Sequence, residues 1–189
     1  MTEEGKSENR PQTLEAGSET SAPSAGDLFA KTVKSVCDGV VRAAKETGND
    51  ALRALDAITG VVQSSVRGAV EAGSNLVLGA KAIVVGVLRG TGEKEAAALK
   101  TLSNTSRAVI RHTAKLGGDL AASVKGLILG AIASAKDMGV DRVQTATSAA
   151  QGALEGAEEA GSAAAETVRG ALKEDIGGIK VALPQPLRK

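Results

Sequence analysis

The side chains that could do covalent or metal chemistry are few, and they are not grouped for it. The 189-residue chain has one His, His112, and one Cys, Cys37. One imidazole and one thiol cannot complete a common zinc site, and a single Cys cannot close an internal disulfide. Cys37 fits a small buried residue in a reducing compartment. His112 stands in the charged run Arg111-His112-Thr113-Ala114-Lys115, where it is expected to be exposed, and no nucleophile or carboxylate is arranged with it. Several serines are present, but none sits in a strand-turn-helix elbow. Gly90 and Gly92 lack the preceding strand that a phosphate-binding loop requires. The carboxylate pairs Glu158-Glu159 and Glu174-Asp175 lie in polar surroundings typical of solvated surface. The expectation is a non-enzymatic protein with no catalytic, cofactor or metal site.

Charge is the chemistry that remains. Lys and Arg number 23 against 22 Asp and Glu, a net charge of +1, and Phe29 is the single aromatic residue. Without aromatic platforms for bases and without a basic excess, nucleic acid is not an expected partner. The balance is uneven along the chain, however. Residues 62–136 hold ten bases and four acids, whereas residues 1–26 carry five acids and two bases. Basic residues beside apolar helices favour an anionic surface. The candidate contacts are Lys94, Lys100, Arg107 and Arg111, which lie between the two most apolar stretches.

The elements that must hold these groups are helical. No Pro occurs between Pro23 and Pro184, and Ala, Leu, Lys, Arg and Glu, good helix formers, are abundant. The chain matches itself at a shift of 44: Gly73-Ser74-Asn75-Leu76 falls on Gly117-Gly118-Asp119-Leu120, Lys81 on Lys125 and Gly86 on Gly130. A second landmark recurs at Lys45-Glu46-Thr47-Gly48, Arg89-Gly90-Thr91-Gly92 and, three residues late, Lys136-Asp137-Met138-Gly139. Glycine followed by Asn or Asp reads as a helix stop and then a cap. The spacing predicts helices over 27–46, 49–72, 75–90, 93–116, 119–137, 140–160 and 162–175. The fold class is all-α: an up-down array or bundle of about six to seven helices from a duplicated helical hairpin of about 44 residues. The organisation predicted is a disordered acidic tail over 1–26, a helical repeat domain over 27–175 and an irregular C-terminal tail over 176–189.

The two helix types of each hairpin differ. Second helices show a narrow seam at 4-3-4 spacing: Ala51, Leu55, Ile58, Val62, Val66 and Ala69 in one copy, Leu99, Leu102, Ser106, Ile110 and Thr113 in the next, and Val143, Ala146, Ala150, Leu154 and Ala157 in the last. First helices are more apolar; 76–88 and 120–135 contain a single charge each, Lys81 and Lys125. Both are shorter than the roughly 20 residues a membrane span needs. Small residues step through them every four positions, as Ala82, Gly86 and Gly90, and as Gly118, Ala122, Gly126, Gly130 and Ser134. Residues four apart share a face, so each ladder offers a smooth groove to a neighbouring backbone, resembling a glycine zipper.

In composition and periodicity over 27–175 the chain resembles two families: phasins, which coat bacterial polyester granules, and late embryogenesis abundant proteins, which order on drying or at membranes. The resemblance rests on no diagnostic motif. It implies a self-associating structural protein, cytoplasmic or peripheral to a membrane or inclusion, whose partners are its own copies and an anionic lipid or hydrophobic granule surface. Stress protection and insertion of the zipper helices into a membrane are the alternatives. The ladder predicts that Leu at Gly126 and Gly130 overpacks the helix interface, whereas Ala there is tolerated better and can raise helix stability.

Overall fold

The structure, a computed structural model, describes residues 24–47 and 51–181, with backbone only for 51–55. The acidic tail before Ser24, the stop and cap at Gly48-Asn49-Asp50, the side chains of Ala51 and Leu55, and Pro184 and Pro186 lie outside the described residues.

Among the described residues seven helices form and there are no strands. They are α1 (Ala25–Thr47), α2 (Ala51–Glu71), α3 (Leu76–Thr91), α4 (Glu95–Lys115), α5 (Leu120–Met138), α6 (Arg142–Ala160) and α7 (Ser162–Leu172). The cap residues explain the boundaries. Asn75 accepts hydrogen bonds from the N–H groups of Val77 and Leu78 at 3.0 and 3.4 Å. Asp119 accepts from Ala122 at 2.9 Å, and Asp141 from Val143 at 2.8 Å and Gln144 at 3.1 Å. Each satisfies a helix donor that has no intrahelical acceptor. Gly92 and Gly139 close α3 and α5 with φ of 64° and 72°, a left-handed conformation that a side chain disfavours. The three-residue shift in the repeat is also explained: α5 has 19 residues where α3 has 16. At the other end Ser24 caps α1, exchanging hydrogen bonds with Asp27. Helix therefore begins two residues before position 27.

The helices form two layers. The odd-numbered helices pack as α1–α3–α5, with α7 against α5, and the even-numbered helices pack as α2–α4–α6. Close contacts between α1 and α3, between α3 and α5, and between α4 and α6 advance together along both partners, so helices within a layer run parallel. Each helical hairpin thus stacks on the one before it, as expected of a duplicated unit. α3 is the central helix of its layer, which accounts for its composition: Ala82, Ile83, Val84, Val85, Gly86, Val87 and Leu88 are all buried. A helix apolar on every side belongs in a core. The apolar run of α5 is covered in the same way. Its Val124, Leu127, Ile128 and Ala131 are fully buried.

Two expectations are corrected by the packing. The seam of the even helices is wider than one stripe. α4 buries Ala98, Thr101, Thr105 and Ala108 besides Leu102, Ser106 and Ile110, because it lies between α2 and α6 with the odd layer behind it. In α6, Ala146, Ala150 and Ala157 are fully buried while Val143, at the first turn, is 52% exposed. The C-terminal segment is irregular but docked. Helix ends at Leu172, and Ile176 and Ile179 then pair across a short turn. Ile176 is 2% exposed, and Gly177 lies against Leu129 and Ile132 of α5. The core therefore extends past position 175.

Candidate functional site

The small-residue ladders are helix-packing devices turned inward. A Cβ added to Gly86 meets Val36 Cβ of α1 at 2.7 Å, and one added to Gly90 meets Val40 Cβ at 2.8 Å. On α5, a Cβ at Gly126 overlaps the Val77 carbonyl, and one at Gly130 comes within 3.0 Å of the Lys81 carbonyl oxygen. Ala82 is fully buried beside Val33 and Val85, Ser134 is buried, and Ala122 is half-buried. Gly118 departs from the ladder: it precedes α5 and packs on Thr113, Val70 and Leu76. Ala at Gly126 intrudes less than Leu, but its methyl still meets the Val77 backbone carbonyl, so the gain in helix stability expected there does not agree with this geometry.

A third ladder, not picked out from the sequence, joins α6 to α4. Ser148 Oγ donates to the Leu99 carbonyl at 2.8 Å, and Gly152 and Gly156 leave no room for a Cβ over the carbonyls of Ser103 and Arg107. Each of these residues sits over a carbonyl 49 residues upstream, as Gly126 and Gly130 do. The four-residue step Ser148, Gly152, Gly156 was visible, but it is camouflaged by surrounding Ala.

Of the candidate surface contacts, the structure brings three together and leaves one apart. Lys100, Arg107 and Arg111 project from the outward side of α4, and Lys115 extends the row. At 1.5 Å per residue, the row is about 22 Å long. Lys94 lies elsewhere, its Nζ donating to the Asp137 carbonyl at the end of α5. Within the row Arg107 binds Glu159 of α6, and Arg111 lies 3.6 Å from the same carboxylate. The hydrogen bond from Arg107 holds the Glu159 carboxyl below its ordinary range, and the same bond raises the guanidinium. Lys100, Lys115 and Arg67 of α2 are exposed and form no ion pair among the described residues. Between α2 and α4 runs a shallow groove of about 300 Å³, lined by Thr59, Asn104, Arg107, Ala108 and Arg111.

His112 is not exposed as expected. It is 7% exposed, and its Nε2 has no hydrogen-bond partner, a condition shared by Ser106 Oγ, Thr113 Oγ1 and Arg111 Nε. The reason is a second seam on α4. Thr101, Thr105 and Ala108 meet Ile58 and Val62 of α2 around a cavity of about 20 Å³, and His112 continues that 4-3-4 spacing. Burial pushes its pKa below the ordinary value of 6.5, and Arg111, Lys115 and Arg67 push it the same way. The result is a neutral imidazole at an interface ringed by cations.

Among the described residues no group of three or more His, Cys, Asp or Glu converges on a metal position, and no helix is long and apolar enough to cross a membrane. Comparison with protein-family models, with curated proteins and with solved structures gave no match.

Proposed function

We propose that the chain is a non-enzymatic interaction protein, a rigid two-layer helical array that docks on an anionic lipid surface through the outward side of α4 and α2. The observation that carries this is the alignment of Lys100, Arg107, Arg111 and Lys115 along one helix, with Arg67 on the next. The apolar helices take no part, since most of their residues are covered within the chain, in the layer away from the outward side of α4 and α2. Self-association would likewise need a surface other than the ladders, which meet helices of the same chain. Docking is therefore electrostatic, at about 1 kcal/mol per basic residue near the surface. Glu155 and Glu159 on α6, both exposed beside the row, moderate it.

Charge reversal at Arg67, Lys100 and Lys115 tests the proposal without breaking the Arg107–Glu159–Arg111 contact. The triple Glu variant removes on the order of 3 kcal/mol, more than a hundredfold in affinity. Wild-type protein is expected to sediment with phosphatidylserine vesicles at low salt, and not with phosphatidylcholine vesicles. Attraction that is purely electrostatic disappears near 1 M salt, where the Debye length is about 3 Å. Wild-type protein remaining in the supernatant with anionic vesicles at low salt defeats the proposal. So does equal sedimentation of the triple variant.

A further inference from the structure

A cavity of about 750 Å³ opens at the free end of the array, between the first turns of α1 and the last turns of α2, with the start of α3 as its floor. It exists because the residues that face it from α2 are small. Midway along the pair Gly39 lets Val61 approach closely, whereas toward the open end Ser65 and Gly68 are small, and nothing lies within 4 Å of a Cβ placed on Gly68. One repeat further on, the same place is filled. Gly118 stands where Ser74 stands and is packed by Thr113, Val70 and Leu76; Leu76 takes the place of Thr32, which lines the open cavity. The first hairpin is thus open where the second is packed.

Its lining combines apolar walls with the neutral polar side chains of Thr32, Ser35, Ser65, Ser74 and Asn75 and a single charge. Leu28, Phe29 and Val36 of α1, Ala69 of α2 and Leu78 of α3 form the walls, and Lys31 is the sole ionisable residue among them. Leu28 is 48% exposed. The Lys81 ammonium lies 5.2 Å from the centre of the Phe29 ring, bringing a second cation to this end. Asp27, one turn before Lys31, is engaged by Ser24. An apolar cavity of this size with a few polar groups has the form of a small-molecule site, and its charge selects the head group. We infer that this cavity binds a single-chain anionic amphiphile, a long-chain carboxylate whose tail lies along Leu28, Phe29 and Leu78 and whose head pairs with Lys31. The site is separate from the basic row of α4 and does not depend on docking there.

The chain has no Trp or Tyr, so Phe29→Trp places a single fluorophore in the wall. Titration of this variant with dibromostearate is expected to give saturable quenching at one ligand per chain, and calorimetry of the wild type with palmitate the same stoichiometry. Lys31→Glu replaces an attraction with a repulsion and should weaken binding about tenfold. The pair Ser65→Leu and Gly68→Leu fills the cavity and should abolish binding while the helical signal and melting are retained. Dodecyltrimethylammonium, with a tail but a cationic head, should not compete. The inference is overturned by non-saturating quenching, by equal competition from the cationic amphiphile, or by full binding to the filled variant. It is overturned equally by concentration-dependent dimerisation that excludes palmitate, which makes a second copy the occupant. Binding seen only after deletion of residues 1–23 makes the occupant the chain's own N-terminal segment.

Discussion

Replacing Gly152 by Ala is expected to cost the array about 3 kcal/mol, whereas the same change at Gly60 should stabilise it by roughly 0.5–1 kcal/mol. Both glycines are interior to helices, so both gain from the restricted unfolded chain. They differ in what the new methyl group meets. At Gly60 nothing lies within 4 Å. At Gly152 the methyl overlaps the Ser103 carbonyl oxygen and comes within 2.7 Å of its carbon and 2.8 Å of its Cα. A side chain could rotate away; helix backbone cannot. α4 and α6 must therefore part along their length, loosening Ala149, Ala153 and Ala157, all fully buried. Gly126→Ala, against the Val77 carbonyl, should behave like Gly152→Ala. Gly130→Ala, with its nearest neighbours at 3.0 Å, should cost less. Urea unfolding measures these changes, with an unchanged m-value showing that the two-state comparison holds. A Gly152→Ala protein as stable as wild type would mean that the helices are not in contact at this register.

The helix ends were legible because their chemistry is local. Asn75 and Asp119 cap through their own side chains, and Gly92 and Gly139 need a backbone conformation that few residues adopt; Asp141, set one residue away from Gly139, caps α6 two residues after the start expected at 140. The ladders were legible as places of close approach, but the partner was not. A glycine at every fourth position says that a backbone comes near, and leaves open whether it belongs to this chain or to another. The strongly apolar α3 raised the same ambiguity, which only its position between α1 and α5 removes. The burial of α4 was less accessible. Thr101, Thr105 and His112 look like a solvent face beside Lys100 and Arg111, yet a helix flanked on two sides buries two seams. The open cavity could not be read at all, since it consists of what Ser65 and Gly68 lack.

His112 makes the α2–α4 interface sensitive to acid. Its pKa is below 6.5 in the folded chain, because of burial first and then Arg111, Lys115 and Arg67. In the unfolded chain it returns to the ordinary value. Below about pH 6.5 the unfolded state therefore binds more protons than the folded one. The resulting stability is fully present above pH 6.5 and is lost as pH falls toward the folded value, at up to about 1.4 kcal/mol per pH unit. Glu159 acts in a separate window: its lowered pKa contributes stability that is present above its ordinary 4.5 and lost as pH falls below it. His112 is the single His in the chain, so no other side chain with an ordinary pKa titrates between pH 5.5 and 7.5. Protonation places a charge where Nε2 finds no acceptor and where Arg67 faces Arg111 and Lys115, so α2 should loosen from α4 before the remaining helices separate. Urea midpoints measured at pH 7.5 and 5.5 should fall for the wild type and stay level for His112→Leu, which removes the titrating group and its orphaned nitrogen together. Hydrogen exchange at pH 5.5 should quicken first in α2. Equal midpoints at the two pH values in the wild-type protein would mean that the imidazole reaches water in solution and that the interface closes around something other than His112.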